Sequence, residues 1–287
     1  MDVIQDYKDN EPLRKSFDNL AKLVFDISFE QWYQKGFGNN SYKCHSIIHD
    51  GNVISNVSTT EMNLVMNGET KRAIQIGTVM THPRYRNQGL SDKLMKMVIE
   101  QYGNKVDFFY LFPNESVMNF YPRYGFKKYH DVYYSVKVST NKNAQTSLVQ
   151  VNTGDGYELE RLYNAVLSRK QISSKFDTNG CESIYMWHSM CDLCNCIYRI
   201  SETDDYLVYF ENDKSIELYD VISKNEYSIK NILQILGLDG EKTINLHFFP
   251  DELKEEGWEI KEHKNEDMFF KGAIPASSFS HQIMAHT

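Results

Sequence analysis

The chain has 287 residues, 41% hydrophobic and 13% aromatic, with only six prolines, a composition that excludes a disordered polypeptide and leaves room for two domains. Its net charge of −8 is uneven, with 18 Lys and Arg against 15 Asp and Glu in residues 1–145, and 13 against 24 in the remainder. An acidic second half disfavours nucleic acid and suits either a cationic partner or simple solubility.

The opening MDVIQDYKDNEPLRKSF is charged and has no apolar core, so it does not read as a signal peptide. Helical spacing then predicts helices over Leu13 to Phe25 and Phe29 to Lys35, stopped by GFGNN. The Asp50-Gly51 and Asn67-Gly68 pairs mark two hairpin turns, the second leading into a strand over Ala73 to Met80. A basic loop follows, and Leu90, Leu94 and Val98 make a helical stripe running to about Tyr102. Next come an apolar strand over Val106 to Phe112, a short helix over Glu115 to Tyr124 capped by Gly125, and strands from Lys127 to Val138. FFYLF is far too short to span a bilayer, so no membrane partner is expected. Residues 139–147, STNKNAQTS, read as a linker.

The loop between the Ala73–Met80 strand and its following helix is the most informative stretch. THPRYRNQGLS gathers Arg84, Arg86 and Gly89 where a helix begins. There, free backbone N–H groups and the positive end of the helix dipole invite an anion, most often a phosphate. Gly89 permits close approach and Ser91 leaves room in the first turn. No Walker lysine and no G-x-G-x-x-G is present.

Taken together, V-x-x-H-P-x-Y-R-x-Q-G-L-S from Val79, Asn114 after the next strand, and the FYPRYGF run from Phe120 resemble the GNAT superfamily of acyl-CoA-dependent N-acetyltransferases, over about residues 15–138. The resemblance implies an α/β (α+β) fold built on a mixed, mostly antiparallel sheet with flanking helices. It implies acetyl-CoA as co-substrate, without a metal. It further implies that Val79, Met80 and Thr81 pair with the pantetheine arm and that Arg86, Asn87, Gln88, Gly89, Leu90 and Ser91 hold the pyrophosphate. Asn114 would bind further along the pantetheine, and Tyr121 would protonate the departing thiolate.

The base that deprotonates the amine is not evident, because AIQIGTVM contains no carboxylate. Glu61 on the preceding strand is the leading candidate, with Asp26, Glu30 and His82 as others, and His82 reads better as a loop residue.

The second half repeats the order strand (Ser215 to Ile222), helix (Ile229 to Leu236), strand (Thr243 to Phe249), and FFPDE from Phe248 echoes LFPNE from Leu111. This tandem order resembles the enhanced-intracellular-survival type of bacterial acetyltransferase. The expected division is a catalytic domain over 1–140 and a degenerate GNAT-like domain over 148–287 that walls the substrate cleft. That type's third, sterol-carrier-like domain has no room in 287 residues, and its use of a terminal carboxylate is not expected to transfer to a chain ending in ASSFSHQIMAHT. The second-half loop SKNEYS offers neither glycine nor arginine, so no CoA is expected there.

His188, Cys191 and Cys194 have a spacing zinc could use, but no second C-x-x-C exists, and small core cysteines are the simpler reading. Five cysteines without an export signal point to a reducing cytoplasm. The expected acceptor is a primary amine on a small polycation, with a protein amine or a non-catalytic CoA sensor as alternatives. A homo-oligomer is compatible with all of this.

Overall fold

A computed structural model describes residues 1–140, 147–238, 240–251, 258–273 and 280–287. Strands β1 (Asp2–Gln5), β2 (Tyr42–His49), β3 (Asn52–Met66) and β4 (Glu69–Thr81) form an antiparallel meander. Its two tight turns have positive φ at both central residues, Asp50 and Gly51 in one, Asn67 and Gly68 in the other, the geometry that matches strand twist. Helices α1 (Glu11–Phe25) and α2 (Glu30–Gln34) precede β2. Asn10 caps α1 by accepting from the Leu13 N–H at 3.1 Å.

Helix α3 (Leu90–Tyr102) lies between β4 and β5 (Phe108–Leu111), which run parallel. In its apolar stripe Leu94, Met95 and Val98 are fully buried on Ile74 and Ile76, while Leu90 at the helix start is half-buried. The single helix expected over Glu115 to Tyr124 is instead two 3-10 turns, Glu115–Val117 and Tyr121–Tyr124. Pro122 explains the break, since it has no N–H to donate and its ring would strike the carbonyl four residues back. Gly125 does close the segment in a left-handed conformation, φ 82°. The strands expected from Lys127 onward are one long strand, β6 (Lys127–Thr140). Ser139 and Thr140 of the expected linker belong to it, and residues 141–146 lie outside the described residues.

In the second half, β7 (Leu148–Gln150), α4 (Gly156–Leu167), β8 (Phe176–Asn179), α5 (Glu182–Met190), β9 (Ile197–Ile200) and β10 (Tyr206–Glu211) lead to β11 (Ser215–Ile222). Then α6 (Ile229–Leu236) joins β11 to a parallel β12 (Gly240–Leu246), as α3 joins β4 to β5. β13 (Ile260–Gly272) does not stay beside β12. It enters between β5 and β6, antiparallel to both, giving one continuous sheet in the order β1-β2-β3-β4-β5-β13-β6-β12-β11-β10-β9-β7, with β8 pairing β3. The mixed, mostly antiparallel sheet with flanking helices agrees with the expected fold class.

The two halves are also joined by polar bonds inside an aromatic core. Trp32 Nε1 donates to the Ser183 carbonyl at 2.7 Å, and Ser183 Oγ donates to the Phe37 carbonyl at 2.7 Å. Phe29 stacks on Trp187 with centroids 5.5 Å apart. Each such buried bond contributes roughly 1 kcal/mol net, and removing one partner costs about 1–3 kcal/mol.

Phe270 of β13 is fully buried and lies nearly parallel to the Tyr110 ring of β5, 5.6 Å away. Phe270→Ala should therefore lower unfolding stability by about 3–5 kcal/mol, measurable by urea denaturation.

Candidate active site

Strand β4 pairs with β5 only through Ala73, Ile74 and Gln75. Beyond Gln75 the two separate, and among the described residues the backbone of Ile76 to Thr81 has no strand neighbour on that side. The register moves from Ser58 opposite Gly77 to Asn56 opposite Met80, so β4 itself carries one extra residue, a bulge at Thr78 and Val79 facing Val57 of β3, and Thr78 adopts a left-handed φ of 47°. Bulges re-aim the residues that follow them. Here the turn is held by Asn56 Nδ2 donating to the Thr78 carbonyl at 2.9 Å and by a Tyr42–Thr78 hydroxyl contact at 3.0 Å. Ser55 Oγ donates to the Met80 carbonyl at 3.1 Å.

The gap widens into a cavity of about 1580 Å³. One end receives the loop after β4. His82 Nδ1 accepts from the Arg84 N–H at 3.2 Å, the structural role expected of it. Asn87 and Gly89 have φ of 62° and 72°, and a side chain built on Gly89 meets nothing within 4 Å, so the space above it is open. Helix α3 begins with no side-chain cap, leaving its first N–H groups available. Ser91 and Thr81 share a hydroxyl contact at 2.7 Å, which ties the helix start to the strand end.

Val79, Met80 and Thr81, together with Arg86, Asn87, Gly89, Leu90 and Ser91, all line this cavity, as do Asn114 and Tyr121. Gln88 and Glu61 are not among its lining residues. Glu61 is paired instead with Lys43 at 2.8 Å across β2 and β3, so a reach to the gap is not provided. Asn114 makes no side-chain cap on the turn it begins, and its exposed side chain stands at the cavity wall. Tyr121 is 5% exposed, and burial pushes its phenol up to about 12, so it carries its proton at neutral pH.

The opposite end is built by residues far away in sequence. Phe25 and Ile27 face Trp187 and His188 of α5, with Glu266 of β13 and His286 of the final segment completing the wall. That segment is threaded between the halves by specific bonds. Asp131 Oδ1 accepts from the His281 N–H at 2.7 Å, and Gln282 Oε1 accepts from Thr178 Oγ1 at 2.6 Å. His188 Nε2 donates to the His286 carbonyl at 2.6 Å. His281 Nδ1 donates to the Gln282 carbonyl at 3.0 Å, so its Nε2, 3.0 Å from the Tyr110 hydroxyl, accepts. Burial pushes the His281 imidazole down to about 3, consistent with this neutral form. The result is that Thr287 packs on Gly77, where an added side chain would lie 2.5 Å from Thr287 Oγ1 and 3.3 Å from its carbonyl carbon. The polar look of the tail concealed this close seat at β4. Nothing local in the sequence marks Trp187, Glu266 or His286, because each reaches the site through long-range pairing.

Among the described residues, no group of three or more His, Cys, Asp or Glu side chains is arranged to hold a metal. The five cysteines are free thiols, Cys44 and Cys181 buried and the other three half-buried. Among the described residues, no helix is long and apolar enough to cross a membrane.

Residues 13–129 match the acetyltransferase (GNAT) domain family. The chain carries a GNAT acetyltransferase domain. No curated protein matches the sequence. Among solved structures, a probable N-acyltransferase from Enterococcus faecalis V583 is similar over 94% of this chain and 71% of its own, at 17% identity and a TM-score of 0.61. Eis1 from Mycobacterium abscessus is similar over 94% and 73%, at 12% identity and a TM-score of 0.60. A GCN5-related N-acetyltransferase from Kribbella flavida is similar over 93% and 70%, at 14% identity and a TM-score of 0.55. These likenesses are of fold, and they run across both halves of the chain.

Burial raises the Asp131 carboxyl to about 7, above its ordinary value of about 3.9. A raised acid stabilises the fold fully below its unfolded value and loses that contribution as pH rises through the folded one. Between about pH 5 and 8, the Tm of the native protein should therefore fall more steeply than that of Asp131→Asn, which thermal melts across that range will read.

Proposed function

We propose that the GNAT domain transfers the acetyl group of acetyl-CoA directly to a primary amine. The observation that carries this reading is that the open, uncapped start of α3, the unpaired edge of β4 and the protonated Tyr121 line one cavity. The N-terminal turn of α3 with Arg86, Asn87, Gly89, Leu90 and Ser91 would hold the pyrophosphate, and Gln88 completes the loop. Val79, Met80 and Thr81 would pair with the pantetheine arm as an added strand, and Asn114 would hydrogen-bond it. Tyr121 would protonate the thiolate as it departs. The backbone near Met80 would polarise the thioester carbonyl. No covalent enzyme intermediate is required.

The second half, residues 148–287, is read as a degenerate GNAT-like domain. Its parallel β11 and β12 flank α6 in the same order as β4, α3 and β5. A smaller cavity of about 330 Å³ sits at the start of α6. There Ser228 and Asn231 form a reciprocal cap that engages the Asn231 and Ser228 backbone N–H groups, and Glu226 is paired with Lys170. That chemistry does not suit a pyrophosphate. The net −11 beyond residue 145 favours a small polycationic amine over a folded protein as acceptor. Free thiols fit a cytoplasmic setting.

Thiol release from acetyl-CoA, measured against aminoglycosides, polyamines, amino acids and lysine peptides, identifies the acceptor, with calorimetric acetyl-CoA binding as control. Binding without release from any acceptor would replace the enzyme by a CoA sensor, and release only with lysine peptides would make the acceptor a protein. Tyr121→Phe should lower kcat by ~10²–10⁴-fold while leaving acetyl-CoA affinity unchanged. Gly89→Val, strained at a positive φ and filling the open space above the loop, should abolish acetyl-CoA binding itself. An unchanged affinity in Gly89→Val would remove the pyrophosphate site from this loop.

A further inference from the structure

An amine that arrives as an ammonium ion must lose a proton before it can attack, and neither β4 nor Glu61 supplies an acceptor in the cavity. We propose that His286, oriented by Glu266, accepts that proton, an inference that rests on N-acetyl transfer at Tyr121.

Three observations converge on His286. It lines the same cavity as Tyr121, and its neighbour Thr287 is seated on Gly77, three residues before Met80. Its ring lies against Phe112, with centroids 3.8 Å apart, and its carbonyl is fixed by the 2.6 Å bond from His188 Nε2. Its Nδ1 faces Glu266 Oε2 at 3.8 Å. A carboxylate on that side favours the tautomer with the proton on Nδ1 and leaves the Nε2 lone pair for the substrate.

Two other groups along this wall, His188 and Asp267, are engaged elsewhere. The Nε2–H of His188 is used on the His286 carbonyl, and its Nδ1 faces Asp192 at 3.5 Å. Asp267 is engaged by Lys128 and His130, each at 2.8 Å.

Among the described residues, the charged and titratable groups facing His286 include Glu266, His281 and His188. Burial, with the two neighbouring imidazoles, holds His286 well below the ordinary histidine value, so it enters the reaction neutral at pH 7. Glu266 then stabilises the imidazolium once the proton arrives. The protons balance as follows. His286 takes one proton from the ammonium, and the free amine attacks the thioester carbon as the C–S bond breaks. Tyr121 gives its proton to sulfur and regains one from the new amide nitrogen. The imidazolium finally releases its proton to solvent.

The test compares the acceptor used by the native enzyme with an analogue carrying an electron-withdrawing group beside the nitrogen, so that the analogue's ammonium is already deprotonated at the assay pH. With the ordinary acceptor, His286→Gln should lose ~10²–10⁴-fold in kcat/KM. With the analogue, most of that loss should vanish, and acetyl-CoA affinity should match the native protein in both cases. Glu266→Gln changes an exposed side chain and should not disturb folding. It should give a smaller loss and move the acid limb of the pH profile to lower pH. Equal losses with both acceptors, or native rates in both variants, would overturn the role of His286 and leave the acetyltransferase standing. A native protein that neither binds acetyl-CoA nor releases thiol would overturn both.

Discussion

The separation of β4 from β5 is the constraint on which the rest of the molecule depends. Parallel strands pair through evenly spaced bonds, and here that ladder ends after Gln75 and Tyr110. An unpaired strand edge is costly unless something satisfies it or water reaches it. The bulge in β4 with its left-handed Thr78, and the side chains of Ser55 and Asn56 on β3, stabilise the split from the far side. The start of α3, the unpaired edge of β4 and Tyr121 all line the one cavity that this divergence opens.

The remainder of the fold closes this gap from behind. β13 carries Lys264 and Glu266 beside the opening while Phe269 and Phe270 anchor its end in the core between β5 and β6. The final segment is fixed through buried polar groups, which is an exacting arrangement, since each must find its partner away from water. Asp131, Tyr110, Thr178 and His188 supply those partners from four different elements. The halves are thus coupled through the cavity wall itself, and the shape of that wall depends on both.

The expected site residues divide along the same line. Arg86, Asn87, Gly89, Leu90, Ser91 and Tyr121 line the cavity in local shapes set by neighbours a few positions away. Glu61 could not be placed that way. Alternation put it on β3, but only the pairing with β2 showed that its partner is Lys43. The helix expected over Glu115 to Tyr124 failed for a local reason that was already visible, the proline at 122.

The sequence by itself determined the hairpin turns, the strand–loop–helix unit around Gly89 and the burial of the α3 stripe, because backbone sterics and periodic burial act within a few residues. Only the tertiary structure decided that β13 enters between β5 and β6 and that His286 and Thr287 arrive at β4. The stretch KEHKNED within β13 is almost wholly polar and shows no alternation, so no local pattern announces a central strand. Its place is set by pairing with strands more than 120 residues earlier, where the favourable term is burial summed over the whole sheet rather than any preference of the segment.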